Sequence, residues 1–272
     1  MEKKWFFDMA MSAFLQTLPN LAVPFDMLPV SAGTFWMGTQ KNDPNAPNFA
    51  PDTFGGQDLV HQVTVKDFLV GQFPVTQDVW TAIMGENPSY FKGARRPVET
   101  VSWDDAQLFI AKLNEGTQHS RPKGYAYRLP TESEWEYAAR GGIKNDGNKY
   151  AGSDKLKDVG WCEGNSHQET KPVGLKYPNP LGLYDMSGNV WEWCEDDWHD
   201  DYKDAPDNGS AWIDSPERGL LRVYRGGSWD GLARPCRATY RFYDAPDSRG
   251  YYMGFRLVLS LQSVGSPLPA FL

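Results

Sequence analysis

Cys162, Cys194 and Cys236 are the only thiols of the chain, and His61, His119, His167 and His199 its only imidazoles. These two side-chain types carry most nucleophilic and transition-metal chemistry, and their spacing limits which of it is open to the chain. An odd number of cysteines about 30 to 40 residues apart forms neither a disulfide framework nor a zinc pattern, and reads as buried or half-buried free thiols. No two histidines stand at H-x-x-x-H spacing, which argues against a histidine-ligated metal centre. The other concentration of versatile side chains is "GGSWDGLARPCRATYRFYDAPDSRGYYMGFRLV", Gly226 to Val258. Aromatic, arginine and small polar residues in that mixture serve an active site, a binding surface or core strands.

The elements that position these residues have to be read from the rest of the chain. At 272 residues with 40% hydrophobic content, 14% aromatics and 11 Trp, the sequence folds, with one domain as the expectation. A net charge of −8 argues against nucleic acid, since a phosphate-binding face needs clustered Lys and Arg. No apolar run approaches the roughly 20 residues of a membrane span. The opening "MEKKWFFDMAMSAFLQTLPNLAVPF" could be weighed as a secretory signal, but Asp8 interrupts it and no convincing cleavage site follows. Residues 1–26 are read as a short amphipathic helix docking on a domain that spans 27–272.

Within that domain "MLPVSAGTFWMGT" and "HQVTVKDFLVGQFPVT" read as extended segments. Three helices follow. One opens at Thr76, a second has a Ser102/Asp105 capping box, and a third has a Thr131/Glu134 box and ends at Gly141. From Gly142 to Pro180 long loops are expected, and then "GNVWEWCEDDW", "LRVYRGGSW" and "MGFRLVLSL" return to strands. Sheet, helices, loops and sheet in this order indicate an α+β fold.

Seven segments, "GTFWMG", "PVTQDVW", "PVETVSWDDA", "YRLPTESEWEYAARGG", "GLYDMSGNVWEWCEDDW", "RVYRGGSW" and "GFRLV", closely resemble in this order the formylglycine-generating enzyme, or sulfatase-modifying factor, family. The resemblance covers about residues 27 to 260. It implies that family's compact, loop-rich subclass of the C-type lectin fold, with the two ends of the chain brought into one sheet. A fold does not fix an activity. In the family's oxidases two cysteines after the Gly-Gly-Ser-aromatic motif hold copper, as soft thiolates select Cu(I). Cys236 stands at the second of those places and Gly231 at the first, so no copper site is expected and Cys236 is read as structural. A family calcium site, carried onto "DMSGNVWE", implies the side chains of Asp185 and Glu192 with the carbonyls of Gly188 and Val190, hard oxygen donors that suit Ca²⁺.

The terminal stretch carries a second resemblance, to the variable proteins of diversity-generating retroelements, whose C-terminal segment is rewritten at adenines. Such rewriting cannot yield Lys, Glu, Gln, Met or Trp, and none of these occurs between Asp230 and Tyr252. The variable region is placed at about 229–253. Its candidate ligand-binding residues are Asp230, Gly231, Leu232, Pro235, Tyr240, Phe242, Tyr243, Asp244, Ala245, Ser248, Gly250, Tyr251 and Tyr252, expected to converge on one exposed face. Cys236, Arg237, Arg241 and Arg249 are expected to anchor the scaffold between them. Tyr and Phe give rigid contact area and Gly, Ser and Asp adaptable polar contacts, as in antibody loops. The expectation is a non-catalytic, receptor- or adhesin-like monomer that binds a protein or glycan ligand at a bacterial cell surface or outside the cell. The alternatives are an oxidase with altered metal ligands and a structural lipoprotein or scaffold subunit of the same fold.

Overall fold

In the computed structural model residues 12–18, 24–51 and 60–262 are described. They contain eleven strands and four short α-helices. The principal sheet has five antiparallel strands in the order β1-β2-β5-β11-β6, namely Phe14–Gln16, Phe25–Val30, Phe68–Gly71, Val258–Leu261 and Tyr125–Arg128. Strands from both ends of the sequence therefore share it. β3 (Gly33–Met37) and β4 (His61–Val65) form a separate hairpin ladder. A four-stranded sheet follows the order β10-β7-β8-β9, from Met253–Phe255, Trp191–Asp197, Arg222–Arg225 and Arg241–Asp244.

The reading of residues 1–26 as a docking helix is corrected where it can be compared. Phe14–Gln16 is a strand paired antiparallel with β2, Gln16 opposite Phe25, so this segment belongs to the domain's own sheet. The physical reason lies at Gln16, fully buried, whose amide donates to Ser120 Oγ at 3.0 Å and whose Oε1 accepts the Tyr127 hydroxyl at 2.9 Å. Residues 1–11 and 19–23 of the expected helix lie outside the described residues.

The helices form where their signals stand. α1 is Gln77–Met84, closed by Gly85 in the left-handed region. Its first residue follows Thr76 as expected, although the Thr76 hydroxyl turns to Asp78 instead of capping the backbone. α2 (Trp103–Gly116) and α3 (Glu132–Ala139) each have both halves of their capping boxes. Beyond α3, only a 3-10 turn and the one-turn α4 (Leu156–Val159) interrupt the loops up to Pro180.

One core layer packs α1 and α2 on the sheets through Val79, Trp80, Phe109, Leu113, Trp193 and Phe255, with the Trp80 and Phe109 rings stacked at 5.2 Å. A second joins α3 to β3, β4 and β8 through Trp135, Tyr137, Val63 and Val223. Every residue of α3 is buried, including Glu132, Glu134 and Glu136. Buried carboxylates keep their charge only when paired. Arg241, Arg128, and Arg140 with Arg225 supply the pairs, respectively.

Candidate functional site

The C-terminal segment is built on β8 and β9. In their antiparallel register Arg222 faces Asp244 and Tyr224 faces Phe242 on one side, while Val223 faces Tyr243 and Arg225 faces Arg241 on the other. β9 is the sheet's outer strand, a strand the sequence reading missed because its aromatic run does not alternate apolar with polar. The pleat nevertheless sorts it. Arg241 is 1% exposed, and the next residue, Phe242, is 45% exposed.

None of the thirteen candidate positions is buried. Asp230, Leu232, Phe242, Tyr243 and Tyr251 are exposed, and Gly231, Pro235, Tyr240, Asp244, Ala245, Ser248, Gly250 and Tyr252 half-buried. Of the residues between them, Cys236 and Arg241 are buried and Arg237 is half-buried. Arg249 is exposed, but it forks onto Asp105 at 2.7 and 2.9 Å and so ties its loop to the start of α2.

Tyr240 and Phe242 gather around Trp191, whose ring centroid lies 4.9 Å from Tyr224, 6.1 Å from Tyr240 and 6.5 Å from Phe242. Tyr252 joins them at the junction with β7, where its carbonyl accepts the Trp191 N–H at 2.8 Å. Tyr251 extends the surface, 5.7 Å from Trp229 and 6.1 Å from Tyr90. Burial and then the nearby carboxylate of Asp244 raise the Tyr224 phenol above its usual range, and Asp244 and Asp230 act likewise on Tyr252.

Tyr243 carries the aromatic surface round the sheet edge, its ring stacked on Phe242 with centroids 5.3 Å apart and tilted against Trp198 at 4.4 Å. Trp191, Trp198 and Tyr90 were not anticipated. Tyr90, 72% exposed between Pro88 and Gly93, had a legible signal, an aromatic in a breaker-rich loop.

The thiols are placed elsewhere. Burial pushes Cys236 and Cys194 well above the ordinary thiol range. Cys236 packs with Tyr150, Leu156, Val159 and the half-buried Cys162, a grouping that the spacing did not reveal. At Gly231 an added Cβ would come no nearer than 3.6 Å to Ser228 Oγ, so no steric demand keeps a side chain from this position.

At the turn before β7, Asp185 is 2% exposed, and its oxygens accept the Gly174 N–H at 2.9 Å and the Asn189 amide at 3.3 Å. With no ion pair among the described residues, its carboxyl is pushed up to about 6, chiefly by burial. Glu192 is fully buried under a fork from Arg256, both bonds 2.8 Å, and Oε2 also accepts the Trp135 indole at 2.7 Å. Oε1 takes one donor only, so each carboxylate retains an open lone pair. Gly188 is needed for the turn, since at φ 88° its Cβ would fall 2.0 Å from the Trp161 carbonyl oxygen. Among the described residues no three His, Cys, Asp or Glu side chains group as a metal site, so any cation here needs backbone carbonyls such as those of Gly188 and Val190.

Comparison with known proteins places this geometry. The profile of the sulfatase-modifying factor enzyme 1-like domain matches residues 18–261. The chaperone protein LppX of Paenibacillus barcinonensis is 32% identical over 73% of this chain and 82% of its own length. The formylglycine-generating enzyme of Thermomonospora curvata is 33% identical over 71% of this chain and 66% of its own. Among solved structures, Treponema denticola variable protein 1 superposes with a TM-score of 0.76 at 30% identity, covering 91% of this chain and 99% of that one. The α+β, C-type-lectin-like architecture is thus shared, and the chain belongs to the family of sulfatase-modifying factor enzyme 1-like, formylglycine-generating-enzyme-related proteins.

Proposed function

We propose that the protein is a non-catalytic binding protein of this family, presenting a diversified C-terminal surface to a protein or glycan ligand at the bacterial cell surface or outside the cell. The observation that carries the reading is the division of the segment 230–252. All thirteen positions of unrelated chemistry reach solvent, while Cys236 and Arg241 between them are built into the scaffold. A cluster of exposed rings on an acidic protein marks an interaction site. Similarity to Treponema denticola variable protein 1 over nearly the whole of that chain supports the same reading.

Replacing Tyr240, Phe242, Asp244 and Tyr251 together is expected to change partner choice while stability falls by no more than about 0.5 kcal/mol per site. Binding to a displayed ligand library and the urea midpoint are the two measurements. A full loss of folding with these four changes would remove the surface from the account. The enzyme alternative has its own test, because Gly231 leaves the chain without the first of the family's paired thiols. Incubated with copper and oxygen, the protein is expected to leave a sulfatase-type cysteine peptide unmodified by mass spectrometry, and substantial aldehyde product would sink the non-catalytic reading.

The scaffold beneath is proposed to hold one Ca²⁺. Asp185, the open lone pair of Glu192 and the carbonyls of Gly188 and Val190 are hard oxygens around a buried acid that has no paired cation among the described residues. The ion would supply the charge that Asp185 lacks, and its role is structural. Chelation is then expected to lower the melting temperature, since a ligand of the folded state alone stabilises it by mass action. Asp185→Ala should abolish the response; an equal response in the variant excludes this site.

A second reading, a chaperone-type or scaffold subunit, is favoured by the likeness to LppX over most of its length. It differs in its expectation for the surface, because a fixed partner requires fixed residues at Tyr240, Phe242 and Tyr251.

A further inference from the structure

Around Trp191 the rings share their surface with carboxylates that no cation of the described residues neutralises. Asp244 shares with Phe242 the side of β9 that faces Arg222 and Tyr224, and Asp230 follows Trp229, whose ring lies 5.7 Å from Tyr251; the negative charge of both reaches the Tyr252 phenol. Oδ1 of Asp244 accepts the Ala245 N–H and the Ser248 hydroxyl, and Oδ1 of Asp230 accepts the Ser228 hydroxyl. The second oxygen of each has no hydrogen bond among the described residues. The arginines within reach are committed elsewhere. Arg222, the cross-strand neighbour of Asp244, pairs with Asp197 at 2.8 Å and lies 4.8 Å over Trp103, and Arg249 is forked onto Asp105.

From this juxtaposition we infer that the surface formed by Trp191, Tyr240, Phe242 and Tyr252 with Asp230 and Asp244 seats a lysine or arginine side chain from a basic segment of a protein partner. The inference rests on the binding reading above and names the chemistry of its ligand. Ring faces attract a cation through their quadrupole when it comes within about 6 Å of a centroid. Phe242 at 45% exposure, and half-buried Trp191, Tyr240 and Tyr252, leave ring surface for that contact. A guanidinium or ammonium also satisfies the idle carboxylate oxygens with charge-assisted hydrogen bonds. The chain's net charge of −8 favours a basic partner during approach and disfavours an acidic one. A neutral glycan would use the rings but leave Asp230 and Asp244 uncompensated.

Two experiments on the full chain test this. In the first, tetramethylammonium chloride and tert-butanol are titrated separately into isotopically labelled protein at constant ionic strength. The cation is expected to shift the Trp191 indole and β9 amide resonances with an apparent affinity about two- to fivefold above the neutral compound. The Asp230→Asn/Asp244→Asn variant should lose that preference with its melting temperature unchanged. Equal shifts by both compounds, or no shift at these residues, overturn the inference.

The second experiment selects a random dodecapeptide library on the protein. Peptides whose binding is lost in Tyr240→Ser/Phe242→Ser are expected to be enriched about twofold or more in Lys and Arg over the unselected library. Surface-dependent peptides without that enrichment overturn the cationic partner and leave the binding surface standing. Peptides indifferent to the two substitutions, or none at all, count against both.

Discussion

Arg241→Ala is expected to cost about 3–5 kcal/mol, whereas Phe242→Ser, the next residue of the same strand, costs about 1 kcal/mol or less. The guanidinium of Arg241 donates to both oxygens of Glu132, at 2.7 and 2.8 Å, and to the His199 carbonyl at 2.8 Å. It also lies 4.2 Å from the ring centroid of Trp198 and 4.5 Å from that of Tyr202. Truncation removes a fork that no rotamer of another side chain replaces. It leaves the buried Glu132 carboxylate with the Tyr202 hydroxyl at 3.1 Å and the more distant Arg225 at 3.7 Å. Breaking one side of a buried pair carries the full penalty of the stranded charge, which dominates over the value of the pair itself.

For a chain of this size each kcal/mol moves the melting temperature by roughly 2–4 °C, so a fall on the order of 10 °C is expected. Arg241→Lys should recover only part of it, because an ammonium cannot reproduce the planar fork. Urea unfolding of the three variants provides the measurement. Equal losses in Arg241→Ala and Phe242→Ser would mean that β9 does not divide into an anchored face and a displayed one.

That division explains what could be read from sequence and what could not. The capping boxes at Ser102 and Thr131 were legible because each is a local pattern whose partners stand three residues apart. The seven ordered motifs were legible because they surround the scaffold's buried polar contacts, among them Glu192 with Arg256 and Glu132 with Arg241. β9 was not legible, since an outer strand can expose successive residues on its two sides and so loses the period-2 signal. Trp191 and Trp193 have the same type and lie on the same side of β7, yet Trp193 is fully buried and Trp191 forms part of the surface. Only the position along the strand separates them, and sequence pattern does not give it. Cys162 beside Cys236, and Gln16 beneath Tyr127, are long-range pairings that a single sequence does not encode locally.

The second large effect is expected with pH, at Asp196. This carboxyl is 4% exposed and accepts the Glu132 N–H at 2.7 Å and the Trp212 N–H at 2.8 Å. Burial pushes it up to about 8, helped by the negative charges of Glu132 and Glu195. Arg241 neutralises Glu132, but no cation pairs with Asp196 among the described residues. His61, which lines the same cavity and lies tilted against Tyr202 with ring centroids 4.8 Å apart, is itself held below its usual range by burial and supplies no charge near neutrality.

An acid whose folded pKa is raised binds its proton in the native state at pH values where the unfolded chain has released it. Stability from this group is therefore complete below about pH 4 and declines as pH rises toward and through about 8. Between pH 6 and pH 9 the loss is about 3 kcal/mol. Asp196→Asn keeps one acceptor and carries no charge, so it imposes a fixed cost of about 1–3 kcal/mol for the bond it loses, with no slope. The difference in stability between variant and wild type should thus move in the variant's favour by about 3 kcal/mol from pH 6 to pH 9. Taking this difference cancels the titration of His61 and of every other group common to both proteins. Chemical denaturation across that interval reads it directly, and a difference that stays constant with pH would show that Asp196 is already ionised in the folded protein at pH 6, compensated by a charge that the geometry around Glu132 does not contain.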